Sequence, residues 1–244
     1  MSGIAYTRYE LRRAFRNWRF FLFSLGFPVV FYLLVALPQR NKHNFGGTGL
    51  SVPLYYMVGL AAFGTMVSMI STGARIAGER QVGWTRQLRI SPLSTRAYFR
   101  AKVLTGYGMA LSSLLLLYAA GVALGVSLPA QRWLAMTALI LAGLLPFAAL
   151  GILVGHLVTT DSVGPAIGGG VSIFAFLGGT WFPITNGFLH TLGQFLPSWW
   201  LVQASHVALD GHGWSVRGWI TVAAWTALLA AGAAWAYRRD TNRV

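Results

Sequence analysis

The chain has 244 residues, of which 55% are hydrophobic and 10% are charged, whereas a soluble domain usually carries about 25% charged residues. Lys and Arg outnumber Asp and Glu by 19 to 5, and Cys is absent, which excludes a disulfide framework and thiolate chemistry. We therefore expect an all-α polytopic membrane protein of one domain, residues 1–244, whose basic residues follow membrane topology and not a nucleic acid.

The N-terminal segment, residues 1–19, is basic and amphipathic. Apolar side chains recur at helical spacing from Ile4 to Trp18, and Arg residues follow an adjacent arc. This pattern is typical of a helix that lies in the membrane interface, with its apolar stripe among the acyl chains and its Arg near anionic headgroups. The alternative is a basic flank of the first span. The residues assigned to the interfacial helix are Arg8, Arg12, Phe15, Arg16 and Trp18.

Six uncharged segments are candidates to cross the roughly 30 Å hydrocarbon layer. With six spans, five Lys/Arg before the first span, seven between 75 and 102 and three in the tail lie on one side, which is fifteen of the nineteen. This asymmetry predicts that both termini are cytoplasmic. The predicted spans are Phe20–Pro38, Pro53–Ala74, Val103–Val126, Trp133–Val158, Gly164–Trp181 and Gly218–Tyr237.

The end of the uncharged run 162–209 could hold a further span or only short helices. A seventh span would place the three Arg of the tail outside, and His, Gly, Gln and Pro interrupt the run. We therefore expect residues 183–210 to form outer re-entrant or interfacial helices, which membranes tolerate where protein or water covers the backbone. The residues assigned to this segment are Pro183, Pro197, Trp199 and Trp200.

Residues 79–102 form a basic amphipathic segment between the second and third spans. Pro92 disfavours helical conformation in the residue before it, and Ser94 is a natural N-cap for the next helix. Such a helix–break–helix could transmit a push from a docked protein into two spans; the alternative is a connector that only obeys the positive-inside rule. The residues assigned to docking are Glu79, Arg80, Gly83, Arg86, Leu88, Arg89, Pro92 and Leu93.

The chain lacks the residues that would let it supply its own driving force. No GxxxxGK[ST] motif is present, so it does not bind ATP in the P-loop manner, and no acidic residue lies in the middle of a predicted span. His206 and Asp210 are four residues apart and could form the acid/base pair of a membrane enzyme, or metal ligands together with His190 or His212. The alternative is polar residues at the end of an outer helix.

Two patterns in the spans have weaker meaning. Gly121–Gly125 and Gly164–Gly168 have the spacing that lets helices approach closely. Met and aromatic residues of the second and fifth spans could line an adaptable, uncharged substrate path, or could be ordinary packing. The residues assigned to the path are Met57, Phe63, Met66, Met69, Phe174, Phe176, Trp181 and Phe182.

Two passages resemble the permeases of ABC-2 type transporters. The first contains Glu79-Arg80, Gly83, Leu88, Ser91-Pro92-Leu93-Ser94 and Lys102, and is similar to that family's coupling segment, although Gln81 stands where the family has a second acid. The second contains Gly178-Gly179-Thr180-Trp181-Phe182-Pro183 and Leu196-Pro197-Ser198-Trp199-Trp200, and is similar to the passage from the fifth span into the outer helices.

The resemblance implies a function and a set of partners. The chain would be the membrane subunit of a bacterial exporter of the daunorubicin-resistance type, in the cell membrane, and would move apolar or amphiphilic compounds outward. It would pair with a second copy or a paralogue. Two P-loop subunits would bind ATP and Mg, while this chain would hold no cofactor. Export of lipid or glycan is the nearest alternative.

Overall fold

The computed structural model describes residues 3–18, 22–84, 87 and 93–241, and the regular structure in this part of the chain is helical. The first half contains α1 (Gly3–Arg16), a π-helical turn (Leu22–Gly26), α2 (Phe27–Ala36), a 3-10 turn (Phe45–Gly47), α3 (Val52–Ala74), α4 (Ile76–Gln81) and α5 (Thr95–Ala123). The second half contains α6 (Ala130–Gly143), α7 (Leu145–Leu157), α8 (Thr160–Leu177), α9 (Gly187–Gly193), α10 (Pro197–Gln203), a 3-10 turn (Ala204–His206), α11 (Val207–Asp210) and α12 (Val216–Thr241).

Local sequence sets several helix starts. The Ser51 hydroxyl accepts a hydrogen bond from the Leu54 amide at 3.4 Å, and the Ser94 hydroxyl accepts one from the Ala97 amide at 3.3 Å. Both are N-caps, and the cap predicted at Ser94 is confirmed. Pro146 occupies the first turn of α7 and separates it from α6 at Leu144, because proline has no amide hydrogen to continue the preceding helix.

Four helical stretches of the described chain are long and apolar enough to cross a membrane: Val52–Gln81, Thr95–Ala123, Ala130–Leu157 and Val216–Asp240. They correspond to the predicted second, third, fourth and sixth spans, and they make the chain a multi-pass membrane protein. The predicted first span corresponds to the π-helical turn and the ten-residue α2, and the predicted fifth span corresponds to α8. Neither belongs to the four.

Helix α3 forms the core of the bundle. In the 18-residue apolar window of its membrane-length stretch, 83% of the residues are buried. A Cβ atom added at Gly73 would lie 2.4 Å from the carbonyl carbon of Gly151, and one added at Gly155 would lie 2.6 Å from the Gly73 oxygen. The backbones of α3 and α7 are therefore in direct contact, which small residues alone permit.

The glycines that make close contacts differ from most of those predicted. Gly121 does allow a close approach, since its Cα faces the Met57 sulfur, whereas Gly125 has a φ of +91° and ends α5. No atom of the described chain lies within 4 Å of a Cβ placed at Gly164 or Gly168. Within one chain the prediction for that pair is wrong, and the spacing Gly151–Gly155 carries the close packing instead.

Helix α8 runs antiparallel along the whole of α3 and α4. At one end, the Thr160 hydroxyl donates to the Gln81 side-chain oxygen at 2.5 Å. At the other end, the Tyr56 hydroxyl donates to the Trp181 carbonyl at 3.1 Å, and Tyr55 donates to the Gly179 carbonyl. We call the end that contains Gln81 the charged end and the end that contains Tyr55 the far end.

Short helices cover the far end of the bundle. The predicted outer segment, residues 183–210, is indeed broken into α9, α10, a 3-10 turn and α11. Pro183 packs on Gly46, while Trp199 and Trp200 are buried and their rings lie against Gly193 and Gly218. This segment is part of the packed protein; its position relative to a membrane stays a prediction.

Candidate functional site

Helix α1 has a buried polar face that its apolar pattern does not reveal. Its fully buried residues are Tyr6, Glu10 and Ala14, whereas Ile4 is 77% exposed and Trp18 is 66% exposed. The remaining interfacial residues, Arg8, Arg12, Phe15 and Arg16, are also exposed. The predicted apolar stripe and the Arg arc are thus both available to lipid, while the opposite face joins the bundle.

A buried ion-pair network joins α1, α4 and α5 at the charged end. The Lys102 ammonium lies 2.9 Å from a carboxylate oxygen of Glu10 and also pairs with Glu79. The side chains of Lys102 and Glu10 have no exposed surface, and that of Glu79 is 3% exposed. We call this group of three the coupling network.

Two tyrosines and an arginine make further hydrogen bonds to the acids of the coupling network. The Tyr98 hydroxyl donates to Glu79 at 2.6 Å, the Tyr6 hydroxyl donates to Glu10 at 3.2 Å, and Arg13 donates to Glu79 at 3.3 Å. Burial, with the charges of Glu10 and Glu79, raises the pKa of Tyr6 above its ordinary value, so its phenol stays protonated and remains a donor. Buried charges need this kind of pairing and hydrogen bonding, because desolvation otherwise disfavours them.

A second ion pair links α4 to the end of the chain. Arg80 forms a two-point contact with Asp240, with N–O distances of 2.7 and 2.8 Å, and also donates to the His156 carbonyl at 2.8 Å. The His156 ring nitrogen lies 3.3 Å from the same carboxylate. Because a two-point Arg–carboxylate pair fixes orientation as well as distance, α4 is held to both α7 and α12.

Three consecutive residues of α4 therefore contact most of the bundle. Glu79 contacts α1 and α5, Arg80 contacts α7 and α12, and Gln81 contacts the first residue of α8. A displacement of the chain that follows Gln81 would act on all of these helices at once. The predicted docking segment thus begins at a joint of several helices, and its docking role stays a prediction.

The rest of the predicted docking residues are only partly described. Gly83 has a φ of +70°, which glycine adopts without strain, and it ends α4. Trp84 and Leu93 pack on a small apolar cluster that contains Tyr6 and Ile76. Arg86, Leu88, Arg89 and Pro92 lie outside the residues that the structure describes.

The residues assigned to the substrate path fall into two groups. Met57, Met66 and Met69 are buried in the core, where Met57 and Met69 fill the space beside Gly121 and Gly106. The aromatic members lie nearer the surface. Phe176 and Phe182 are exposed, and their ring centroids are 5.0 Å apart. The ring centroids of Phe63 and Trp181 are 5.4 Å apart, and that of Phe174 lies 5.4 Å from that of the buried Phe147. Their contact with substrate stays a prediction.

His206, one member of the candidate acid/base pair, lies in the short helices that cover the far end. His206 lines a cavity of about 240 Å³ together with His190, Gln203 and Tyr55. Asp210 ends α11, and its side chain lies outside what the structure describes. In the described part of the chain, no group of three or more His, Cys, Asp or Glu is arranged to hold a metal ion.

A multi-pass helical bundle with a charged segment joined to its helices is an architecture that occurs among membrane transport subunits. The family model described as "ABC-2 family transporter protein" matches residues 39–236, which is more than half of the chain. The chain therefore belongs to the ABC-2 transporter family. A relative, "Putative transport permease YvfS" of Bacillus subtilis (strain 168), is 28% identical in an alignment of 200 residues that covers 78% of this chain and 78% of the relative.

Membership of this family defines the role of the chain. It is a non-catalytic membrane subunit, so the enzyme reading of His206 and Asp210 does not hold. Permeases of this family work with separate ATPase subunits, and the family implies no cofactor site on the permease.

Proposed function

We propose that the chain is the permease of an ATP-driven exporter, and that it moves apolar or amphiphilic, drug-like compounds out of a bacterial cell. The observation that carries this proposal is the coupling network. Glu79 begins the docking segment and, through Lys102 and Arg13, holds α1 and α5 together in a buried, fully paired contact. A push on the segment by a docked ATPase would move these helices as one unit.

The proposed topology has six spans with both termini in the cytoplasm. Support comes from α8, whose ends are bonded to Gln81 at the charged end and to the tyrosines of α3 at the far end. It therefore covers the same depth as a helix of membrane length. The concentration of Lys and Arg at the charged end supports its cytoplasmic placement.

A second permease chain is part of the proposal. Only Val171 and Ala175 of the eighteen residues of α8 are buried in the single chain, and Ile173 is 62% exposed. A second copy or a paralogue against α8 would give these residues a partner. The exposed aromatic pair Phe176 and Phe182 would then lie beside a path between the two chains, and the buried methionines would reach substrate only if α3 and α5 separated.

The decisive experiment is co-purification with a candidate P-loop ATPase subunit, followed by a screen for compounds that stimulate its hydrolysis of ATP. In Glu79→Gln the complex should still assemble, but stimulation should fall by about tenfold, the effect of losing ~1.4 kcal/mol of coupling. Asp161→Asn is the matched control, since it removes an exposed acid at the same end. Equal stimulation in the two variants would contradict the proposal.

A further inference from the structure

A basic cleft lies between α1 and the end of α3, beside the coupling network. Its volume is about 1070 Å³, and the residues that line it include Tyr9, Arg12, Arg13, Phe15, Arg16 and Arg75. Four Arg residues thus line one space at the charged end. Guanidinium groups bind phosphate oxygens through two parallel hydrogen bonds, which makes such a space suited to a phosphate group.

The charges around the cleft leave an excess of positive charge. Arg13 lies 3.3 Å from Glu79 and 3.7 Å from Glu10, so the two acids of the coupling network partly compensate it. Those acids also pair with Lys102. Among the described residues, Arg12 and Arg16 form no ion pair, and their spacing of four places them on one face of α1. Five cations in this region face two carboxylates, so the cleft favours an anion.

The surroundings of the cleft favour a lipid over a small ion. Pockets for drug-sized ligands have about 300–1,000 Å³, so a cleft of about 1070 Å³ has room for a lipid headgroup with part of its acyl chains. Phe15 forms part of the lining and is 44% exposed, and Trp18 and Leu22, which follow it in the chain, are also exposed. An amphiphile could place its phosphate among the Arg and its acyl chains along these side chains.

We propose that this cleft binds the headgroup of an anionic phospholipid, such as phosphatidylglycerol, and that the bound lipid is a structural partner of α1 and not transported cargo. Arg12 and Arg16 hold the phosphodiester from the open side, and Arg13 and Arg75 hold it from the side of the bundle. Because Arg13 also contacts Glu79, the lipid neighbours the joint at which the docking segment begins.

The test measures binding of fluorescent phosphatidylglycerol to the purified full chain in neutral detergent micelles, without any ATPase, so that its result is independent of transport. The variant is Arg12→Gln with Arg16→Gln. The matched control is Arg8→Gln with Arg96→Gln, which removes the same charge from exposed residues of α1 and α5 outside the cleft. Since an Arg near an anionic surface contributes a factor of about 5, the cleft variant should bind about 30-fold more weakly.

The single variant Arg16→Gln should weaken binding about fivefold, and it replaces the double variant if that one does not fold. The control should weaken binding by less than this single variant does. Equal losses in the cleft and control variants would mean that only diffuse surface charge attracts the lipid. Displacement of the lipid by excess inorganic phosphate would mean a small-anion site. Equal binding of phosphatidylcholine would mean an apolar contact alone. Each of these three results would overturn the proposal.

Discussion

At the scale of single residues, Lys102 pairs with two buried carboxylates that lie on different helices. The chain has two lysines, and the second, Lys42, is exposed at the far end. Replacement of Lys102 leaves Glu10 and Glu79 facing each other in a buried site, with only the half-exposed Arg13 and the nearby Arg75 for compensation. The cost of this arrangement defines a direct test of the coupling network.

We expect Lys102→Met to lower the free energy of unfolding by about 3–5 kcal/mol, because removal of one partner leaves an uncompensated buried charge. Thermal unfolding of the purified protein in detergent would measure the change. Lys42→Met is the control and should leave the midpoint unaltered. Adding Glu10→Gln to Lys102→Met should restore part of the loss; an additive further loss would mean that the charges do not interact.

The contacts of Arg80 depend on the shape of its guanidinium group more than on its positive charge. Arg80→Lys keeps the positive charge but cannot form the two-point contact with Asp240 while also donating to the His156 carbonyl. We expect a loss of about 1–2 kcal/mol, at the low end for a charged hydrogen bond because both side chains are partly exposed. Protease sensitivity of the end of α12 should rise. The control is Arg96→Lys, at an exposed position. Equal stability and equal protease sensitivity of the two variants would refute a structural role for the two-point contact between Arg80 and Asp240.

At the scale of helices, the contact between α3 and α7 depends on glycine. A Cβ atom at Gly151 would lie 2.7 Å from the Ile70 oxygen, which is backbone and cannot rotate away. We expect Gly151→Ala to destabilise the protein by about 3 kcal/mol, since the two helices would have to separate. Thermal unfolding of the purified variant would measure it.

Gly78 provides the comparison for that substitution. It lies inside α4, with no atom within 4 Å of an added Cβ, so Gly78→Ala should stabilise by about 0.5–1 kcal/mol through helix propensity. If Gly151→Ala did not lower the free energy of unfolding relative to Gly78→Ala, the close approach of α3 and α7 would not be present in the protein.

Sequence patterns predicted the elements better than their contacts. Length and hydropathy placed α3, α5, the α6–α7 pair and α12, and Ser94 set a helix start through purely local chemistry. The break before Pro146 lies inside a segment that was predicted as one span. The buried pairing of Glu10 with Lys102 joins residues 92 positions apart, and no local pattern records such a contact. The i, i+4 pairs Tyr6–Glu10 and Tyr98–Lys102 were the sequence signal that could have indicated buried charges, because each pair places a hydroxyl beside a charged side chain.

At the scale of the whole molecule, the proposed six-span topology would separate the charged end from the far end by the thickness of the membrane. The chain contains no cysteine, so single cysteines can report on each end. Val82 is 75% exposed next to α4, and Phe188 is 78% exposed on α9. Asp161 is exposed at the start of α8.

We expect a membrane-impermeant thiol reagent to label Phe188→Cys in intact cells. Val82→Cys and Asp161→Cys should react only after the cells are permeabilised, since both lie at the charged end. Labelling of all three in intact cells would contradict the cytoplasmic docking segment. Labelling of Asp161→Cys together with Phe188→Cys alone would show that α8 does not cross the membrane.

The burial of Lys102 has a practical use in kinetics. On the folded chain an amine-reactive reagent meets Lys42 freely, but it can modify Lys102 only in moments when α1, α4 and α5 part. The acylation rate at Lys102, divided by that at Lys42, therefore reports the fraction of time for which α1, α4 and α5 are apart. Recorded during ATP turnover, this ratio would time the mechanical cycle of the transporter with its natural side chains in place.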